Sequence, residues 1–251
     1  MNPFTPVEEL RKMYMEPVPP RIGQIQMTIM RHKSGMNRFW PKYTLSLSAT
    51  NQFLLTGKKR AGNATSNYLI SMDQDKVGKN GSGFLGKVRS NFLGTEFTIY
   101  DDGANPDKAK TPESIRCQHG VIQYETNVLG SKGPRRMKVL LPMVDVNGHQ
   151  TVWRSADKNQ TIQEQFKINN TERIMFFFNK PPKWNECKSP RRRHFLMAHT
   201  VAFSVLIRGA SLRAEFQWTC GQGQRQELLA DRRVRRQPHL LAVWARGAAK
   251  L

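Results

Sequence analysis

The side chains most able to do chemistry in this chain are its cations, and their chemistry is anion binding. The 251 residues include 40 Lys and Arg against 19 Asp and Glu, which gives a net charge of +21. Three cations are consecutive, Lys58, Lys59 and Arg60, and Arg89 follows in a second polar stretch. Arginine binds phosphate bidentately and lysine supplies compact charge. This balance predicts an anionic partner, either nucleic acid or an anionic membrane face, and charge alone does not choose between them.

Catalytic motifs do not accompany these cations. The sequence contains no Gly-x-Ser-x-Gly, His-Glu-x-x-His or Walker motif. Cys117 and His119 form at best a weak nucleophile pair, for which a surface loop is the simpler explanation. Cys117, Cys187 and Cys220 lack Cys-x-x-Cys spacing, which argues against a zinc site or a disulfide framework and favours a reducing compartment. We therefore expect no enzymatic activity, no metal and no cofactor.

Hydrophobic segments of membrane-spanning length are also missing. No window approaches about eighteen consecutive apolar residues, and the N-terminus continues into a charged stretch instead of an apolar one. Mean hydropathy is −0.59 and hydrophobic residues make up 38% of the chain. We expect a soluble protein with neither a transmembrane helix nor a secretory signal.

Short apolar runs separated by turn residues dominate the chain up to Pro190. Turn clusters occur at 62–63, 101–106 and 147–148, and the Gly-rich stretch 78–86 is interpreted as a flexible hairpin loop. Many short strands of this kind are typical of a sandwich or barrel. The pattern predicts helices over 7–15 and 161–169, and strands over 25–30, 43–48, 53–55, 68–71, 96–100, 121–124, 137–142 and 173–178.

Residues 124–137, YETNVLGSKGPRRM, are the most distinctive run. Gly130 and the Gly133-Pro134 pair favour a tight turn, so the residues alone indicate an ordinary hairpin with a basic tip. The run also resembles the signature of the tubby family C-terminal domain, which is close to YETNVLG-x-KGPR-x-M. Further runs resemble successive motifs of that domain in the correct order, at 27–38, 53–60, 65–71, 86–101 and 179–185.

The resemblance covers about residues 17–187 and implies a fold. That fold is α+β and mostly β, a closed antiparallel barrel around a central hydrophobic helix, and this helix is not recognisable in the present chain. Three parts are therefore expected: a short N-terminal extension over 1–16, an incomplete tubby-like barrel domain over 17–190, and an Arg-rich divergent tail over 191–251. The tail holds eleven Arg and one Lys against three acidic residues. A nucleic-acid or nuclear-import segment, a disordered tail and a shifted reading frame all remain open explanations.

The resemblance also implies a ligand and a site. In the family, the cations that match Lys58, Lys59, Arg60 and Arg89 bind the headgroup of phosphatidylinositol 4,5-bisphosphate, and Asn37 and Arg38 lie in a loop expected to form the pocket rim. The alternative is that these cations are only solvated surface charges.

The implied function is that of a non-enzymatic, monomeric, membrane-associated adaptor that binds a phosphoinositide. Such an adaptor would be cytoplasmic and peripheral at the plasma membrane, with a protein cargo in receptor or ciliary trafficking; nucleus and cilium are alternative locations. Two other hypotheses remain. One is a basic nucleic-acid-binding or transcription-regulatory protein that acts through the Arg-rich tail, and the other is a non-functional truncated gene product.

Overall fold

The computed structural model describes residues 7–18, 25–32, 34–125 and 136–179, together with two strands at 215–218 and 224–230. This part of the chain contains helices α1 (Val7–Met15) and α2 (Ile162–Lys167). Neither helix is both long and apolar enough to cross a bilayer. The strands are β1 (Met27–His32), β2 (Lys42–Leu47), β3 (Phe53–Lys59), β4 (Asn67–Ser71), β5 (Phe84–Ser90), β6 (Glu96–Asp101), β7 (Gln118–Tyr124), β8 (Met137–Pro142), β9 (Ile174–Asn179), β10 (Glu215–Trp218) and β11 (Gln224–Ala230).

These strands form one antiparallel sheet. Strands β1 to β9 lie side by side in chain order, followed by β11 and then β10. The prediction of a mostly β, antiparallel fold is confirmed. Among the described residues the ladders run from β1 at one edge to β10 at the other, and no ladder joins these two strands. Strands β10 and β11 both lie within the segment predicted as the divergent tail.

Most sequence-predicted elements occur within a few residues of their expected positions, including both helices. The prominent omission is β5. The hairpin loop predicted for the Gly-rich stretch ends at Gly83, and Gly86 is part of the strand. A Cβ atom at Gly86 would collide with the carbonyl oxygen of Tyr100, so glycine is required there because β6 approaches too closely for a side chain. The tight turn predicted from Gly130 and 133–134 lies outside the described residues.

One face of the sheet, called here the interior face, packs into a continuous apolar core with α1. Tyr14 of α1 is buried in this core, and Leu10 and Met15 pack against it. Arg11 fixes the helix, because it donates a 2.7 Å hydrogen bond to the carbonyl oxygen of Phe84 and forms an ion pair with Asp102. The strands contribute Tyr43, Leu45, Leu54, Leu55, Tyr68, Ile70, Leu85, Val88, Phe97, Ile99, Ile122, Tyr124, Met137, Val139, Leu141 and Phe177.

The opposite face, called here the outer face, is covered by α2 over β7, β8 and β9. Ile162 of α2 is fully buried, and its N–H donates a 2.9 Å hydrogen bond to Oε1 of Gln118. A smaller apolar cluster forms there from Val121, Leu140, Trp153, Ile162, Ile174 and Phe176. Helix α2 does not extend over β3, β4 and β5. The outer face of those strands carries mostly polar side chains, several of them buried, and Oγ1 of Thr56 there donates a 3.3 Å hydrogen bond to the carbonyl oxygen of Gln74 in the connection between β4 and β5.

The close approach of β5 and β6 gives the first prediction. Replacing Gly86 with Ala should lower the free energy of unfolding by about 3 kcal/mol or prevent folding, because the new methyl group meets backbone and not a flexible side chain. Gly78→Ala is the matched control: a Cβ there meets nothing within 4 Å, so the expected change is within about 1 kcal/mol. Urea unfolding followed by circular dichroism measures both. Equal stabilities of the two variants would contradict the prediction.

The packing of α1 gives the second prediction. Truncating Tyr14 to Ala should cost about 3–5 kcal/mol of unfolding free energy, because it leaves a cavity in the interior core. The neighbouring residue Met13 is half exposed, so Met13→Ala should change stability by less than about 1 kcal/mol. Thermal and urea unfolding of the two variants compare these values, and a Tyr14 variant as stable as wild type would show that α1 is not part of the folded core.

Candidate anion-binding site

Two rows of residues cross the outer face of β3, β4 and β5. In the first row, Lys58 of β3 is opposite Leu69 of β4, and Leu69 is opposite Lys87 of β5. Side chains alternate between faces along a strand, and the neighbours of Leu69, Tyr68 and Ile70, belong to the interior core. Lys58 and Lys87 therefore lie on the outer face, two strands apart.

The second row lies two residues away along the strands, on the side of the connection between β3 and β4. Arg60 follows β3 and donates its N–H to the carbonyl oxygen of Asn67 at 2.9 Å, which extends the ladder beyond Lys59. Asn67 is in turn opposite Arg89 of β5. The same alternation places Arg60, Asn67 and Arg89 on the outer face.

Together the two rows form a rectangle of cations, called here the basic face: Lys58, Arg60, Lys87 and Arg89. Strand spacing sets its width at about 10 Å, and the rise of two residues sets its height at about 7 Å. Lys58, Arg60 and Arg89 are exposed, whereas Lys87 is only 9% exposed. The basic face therefore combines three solvent-accessible cations with one that the protein surrounds.

The environment of Lys87 shows how strongly positive charge accumulates here. Burial, together with repulsion by Arg116, Lys79 and Arg89 and against the attraction of Asp101, lowers the pKa of Lys87 to about 8. With a pKa of about 8, most Lys87 side chains are protonated at neutral pH. A bound anion would favour this charged form, because it would offset both the desolvation and the repulsion.

Lys59 lies apart from the basic face. It is opposite Tyr68, a residue of the interior core, and it is half-buried. Consecutive residues of a strand point to opposite faces, so Lys58 and Lys59 cannot both face one ligand while β3 is extended. Of the four predicted headgroup residues, the register thus groups Lys58, Arg60 and Arg89. A role for Lys59 remains a prediction.

The predicted rim residues lie in the connection between β1 and β2. Asn37 and Arg38 belong to a short 3-10 helix, Gly35–Arg38, in which Arg38 is exposed and Asn37 is half-buried. Lys42, the first residue of β2, is opposite Lys58, so this connection lies at the end of the sheet beside the basic face. Their contribution to the rim stays a prediction.

The sequence interpretation missed two polar residues of the outer face, Lys87 and Asn67. Asn67 is buried between Arg60 and Arg89, and within the described part of the chain its Oδ1 has no hydrogen-bond partner. Its Nδ2 donates to Oδ1 of Asn63 at 3.3 Å. The period-two alternation relating Lys87 to Arg89 would have revealed the first residue, had β5 been predicted as a strand.

A separate groove of about 270 Å³ lies beside the connection between β5 and β6. Two carboxylates, those of Glu96 and Glu125, line it together with a single cation, Lys138, so its charge does not favour a polyanion. The other residues that line the groove are Asn91, Thr95, Gln123 and Tyr124.

The described residues also contain no group of three His, Cys, Asp or Glu side chains arranged to hold a metal ion.

Comparison with known proteins gives the family. The Tub family sequence profile matches residues 14–195. Mouse Tubby-related protein 2 is 41% identical over 174 residues, which cover 66% of this chain and 31% of that protein. Human Tubby-related protein 1 is 35% identical over 189 residues, covering 74% of this chain and 35% of that protein. Protein king tubby of Drosophila sechellia is 38% identical over 185 residues, covering 72% and 41% respectively.

The chain belongs to the Tub family. The predicted resemblance is thereby confirmed, over a range slightly wider than the sequence motifs defined. The chain spans about a third of the length of the curated relatives that it matches: 31% of the first and 35% of the human protein.

The lowered pKa of Lys87 gives the third prediction. Between pH 8 and 10.5 the unfolded state binds a proton at this lysine that the folded state has lost, so this group makes the folded state more stable as pH rises. From pH 7.5 to 9.5 the gain should be about 1–2 kcal/mol. Lys87→Met should remove this gain, whereas Lys58→Met, an exposed lysine of the same face, should keep it. Urea unfolding at several pH values measures the slope; an unchanged slope in the Lys87 variant would refute the assignment.

Proposed function

We propose that this chain binds the phosphorylated headgroup of phosphatidylinositol 4,5-bisphosphate through its basic face. The observation that carries the proposal is the register of β3, β4 and β5, which groups Lys58, Arg60, Lys87 and Arg89 on one face. The backbone positions of these four residues lie within about 12 Å of one another, so their two guanidinium and two ammonium groups suit a ligand that carries vicinal phosphates. A singly charged lipid headgroup would engage only part of this rectangle.

The protein environment supports binding beyond bulk attraction. Lys87 is held in a largely buried position where burial disfavours its charge. Its Nζ donates a long, 3.5 Å hydrogen bond to the carbonyl oxygen of Gly103, and a bound anion would stabilise the charged form further. Asn67 adds a buried amide between the two arginines, and such a group can donate to a phosphate oxygen in one of its two orientations. These features distinguish the basic face from a set of independent solvated charges.

At the cellular level, we propose a non-enzymatic adaptor that is cytoplasmic and peripheral at the plasma membrane. Membership in the Tub family supports this role and the connection with receptor or ciliary trafficking. Recruitment by a lipid headgroup requires no reaction chemistry. Protein cargo would bind elsewhere on a monomeric adaptor.

We also propose that the sheet closes into a barrel. Its interior face is buried from β2 to β9, a width of about 34 Å if the sheet were flat. Helix α1 has nine residues and is only about 10–12 Å in diameter, so it could not cover a flat sheet of this width. Strong curvature of the sheet, toward a closed barrel, accounts for the burial of so wide an interior face.

The headgroup proposal gives the fourth prediction, and adjacent lysines provide the test. Lys58→Ala should weaken binding to vesicles containing phosphatidylinositol 4,5-bisphosphate by about tenfold or more, because it removes one corner of the basic face. Lys59→Ala removes the same charge from the opposite face, so it should cost at most about fivefold, the value of general attraction to an anionic surface. Arg89→Ala should resemble Lys58→Ala. Vesicle flotation at about 0.15 M salt measures the affinities.

Three outcomes decide the matter. Equal losses for Lys58→Ala and Lys59→Ala, together with equal binding to phosphatidylserine vesicles, would mean bulk charge and no headgroup site. Displacement of the chain from vesicles by a DNA duplex of matched charge would favour the nucleic-acid hypothesis. In that hypothesis the Arg-rich tail supplies the affinity. Apart from β10 and β11, this tail lies outside the described residues. Binding that depends on both the lipid and Lys58 supports the proposal.

A further inference from the structure

Three connections lie together at one end of the sheet, the end nearest to Arg60 and Arg89. They join β1 to β2, β3 to β4 and β5 to β6, and their described residues are 34–41, 60–66 and 91–95. This end of the sheet is called here the cationic end. None of these three segments contains an acidic residue, and they carry Arg38 and Arg60.

The connection between β5 and β6 presents an apolar pair to solvent. Phe92 is 86% exposed and Leu93 is 75% exposed. They occupy the two central positions of a tight turn in which the N–H of Gly94 donates to the carbonyl oxygen of Asn91 at 3.2 Å. Turns of this kind favour Gly, Asn, Asp, Pro and Ser at such positions, so the geometry of the turn does not explain a Phe-Leu pair.

The turn holds this pair in a defined position. Oδ1 of Asn91 accepts hydrogen bonds from the N–H groups of Thr95 and Glu96, at 3.0 and 3.2 Å, and Nδ2 of Asn91 donates to Oγ1 of Thr95. Gly94 takes a φ of +66°, which a residue with a side chain rarely adopts. The fold therefore builds a firm hairpin tip and places two large apolar side chains on it.

A second exposed apolar pair lies in the connection between β1 and β2. Met36 and Phe39 are each 67% exposed, on either side of Arg38. The cationic end thus combines apolar tips with nearby cations and no acidic residue in these connections. The connections that begin at the other end of the sheet carry many carboxylates, among them Asp73, Asp75, Asp102, Asp107, Glu113, Asp145 and Asp157. One of these, Asp75, reaches back along the outer face and forms an ion pair with Lys42 at 3.2 Å.

We infer that the cationic end is a membrane-insertion surface, in which Phe92 and Leu93 enter the boundary between headgroups and acyl chains of an anionic bilayer. The inference rests on the proposed function for the identity of the lipid face. Apolar side chains flanked by cations fit such a boundary, because the rings and aliphatic groups enter the apolar layer while the cations stay among the phosphates. Arg89 is three residues from Phe92, so the headgroup site and the inserted tip would engage one lipid patch together.

Charge complementarity favours a bilayer, and not a groove of a protein, as the partner that covers the cationic end. A protein partner would have to match two separated apolar tips and the cations between them, whereas an anionic bilayer supplies apolar depth and negative charge over the whole surface. Met36 and Phe39 would then provide a second point of contact and limit rotation of the bound domain.

The fifth prediction tests insertion separately from headgroup recognition. Phe92→Ser/Leu93→Ser should weaken binding to vesicles containing phosphatidylinositol 4,5-bisphosphate by about tenfold or more, since apolar area no longer leaves water. The affinity for soluble inositol 1,4,5-trisphosphate, measured by calorimetry, should not change. The matched control is Val146→Ser/Val152→Ser, which replaces two residues that are 65% and 60% exposed in the connection at the opposite end, and it should bind vesicles like wild type.

A second measurement reports depth directly. In Leu93→Trp, brominated acyl chains should quench the added tryptophan on the bound protein, and in Val146→Trp they should not. Vesicle affinity of the Phe92/Leu93 variant equal to that of wild type would overturn the insertion and leave the headgroup proposal intact. Loss of soluble headgroup binding in the same variant would mean that the turn only supports the basic face.

Two remaining outcomes also decide against insertion. Absence of quenching in the Leu93→Trp variant on bound vesicles would show that the tips face away from lipid, where they would be available to a protein. A wild-type chain that binds neither the vesicles nor the soluble headgroup would overturn the headgroup proposal and the insertion together.

Discussion

The lateral register of β4 between β3 and β5 is the constraint on which the candidate site depends. A bulge shifts the pairing of β4 with β5, so that Ile70 is opposite Gly86 while Ser71 is opposite Phe84. As a result Leu85 and Val88, three residues apart, both reach the interior core. A slip of one residue would turn every later side chain of β5 over and move Lys87 and Arg89 to the wrong face. Gly86 also fits its position beside β6, where a Cβ atom would collide with the carbonyl oxygen of Tyr100.

The two faces of the sheet carry different kinds of side chain, and this difference follows from that register. The interior face is apolar across eight strands and receives α1, whose Tyr14 contributes to the same core. The outer face is apolar only where α2 covers β7 to β9. Strands β3 to β5 lie beyond α2, and their outward positions carry cations beside buried polar residues such as Asn67 and Ser71. The same strands thus stabilise the domain on one face and carry the candidate anion-binding residues on the other.

Burial and exposure have opposite consequences for the charged residues of this surface. Lys87 is enclosed, which lowers its pKa and makes it sensitive to a bound anion, whereas Lys58, Arg60 and Arg89 remain in solvent. Phe92 and Leu93 show the reverse mismatch, since they are apolar and exposed. Both mismatches occur close to Arg89: Lys87 lies on the same strand, and Phe92 and Leu93 lie in the connection that follows it. An anionic, partly apolar surface such as the proposed lipid bilayer would relieve both of them, by compensating the buried charge and by covering the exposed apolar groups.

The sequence by itself determined the family, the antiparallel β class, most element positions and the basic character of the candidate ligand surface. Alternating apolar residues and turn clusters are local signals, and a motif such as 124–137 can be recognised without knowing which residues lie near it in space. The tertiary structure alone decided which cations lie together. Lys58 and Lys59 are equivalent in the sequence, yet strand alternation separates them, and the pairing of β3, β4 and β5 joins Lys58 to Lys87, a residue 29 positions away. Register is a non-local property, shifted here by a bulge, so no local pattern could have predicted it.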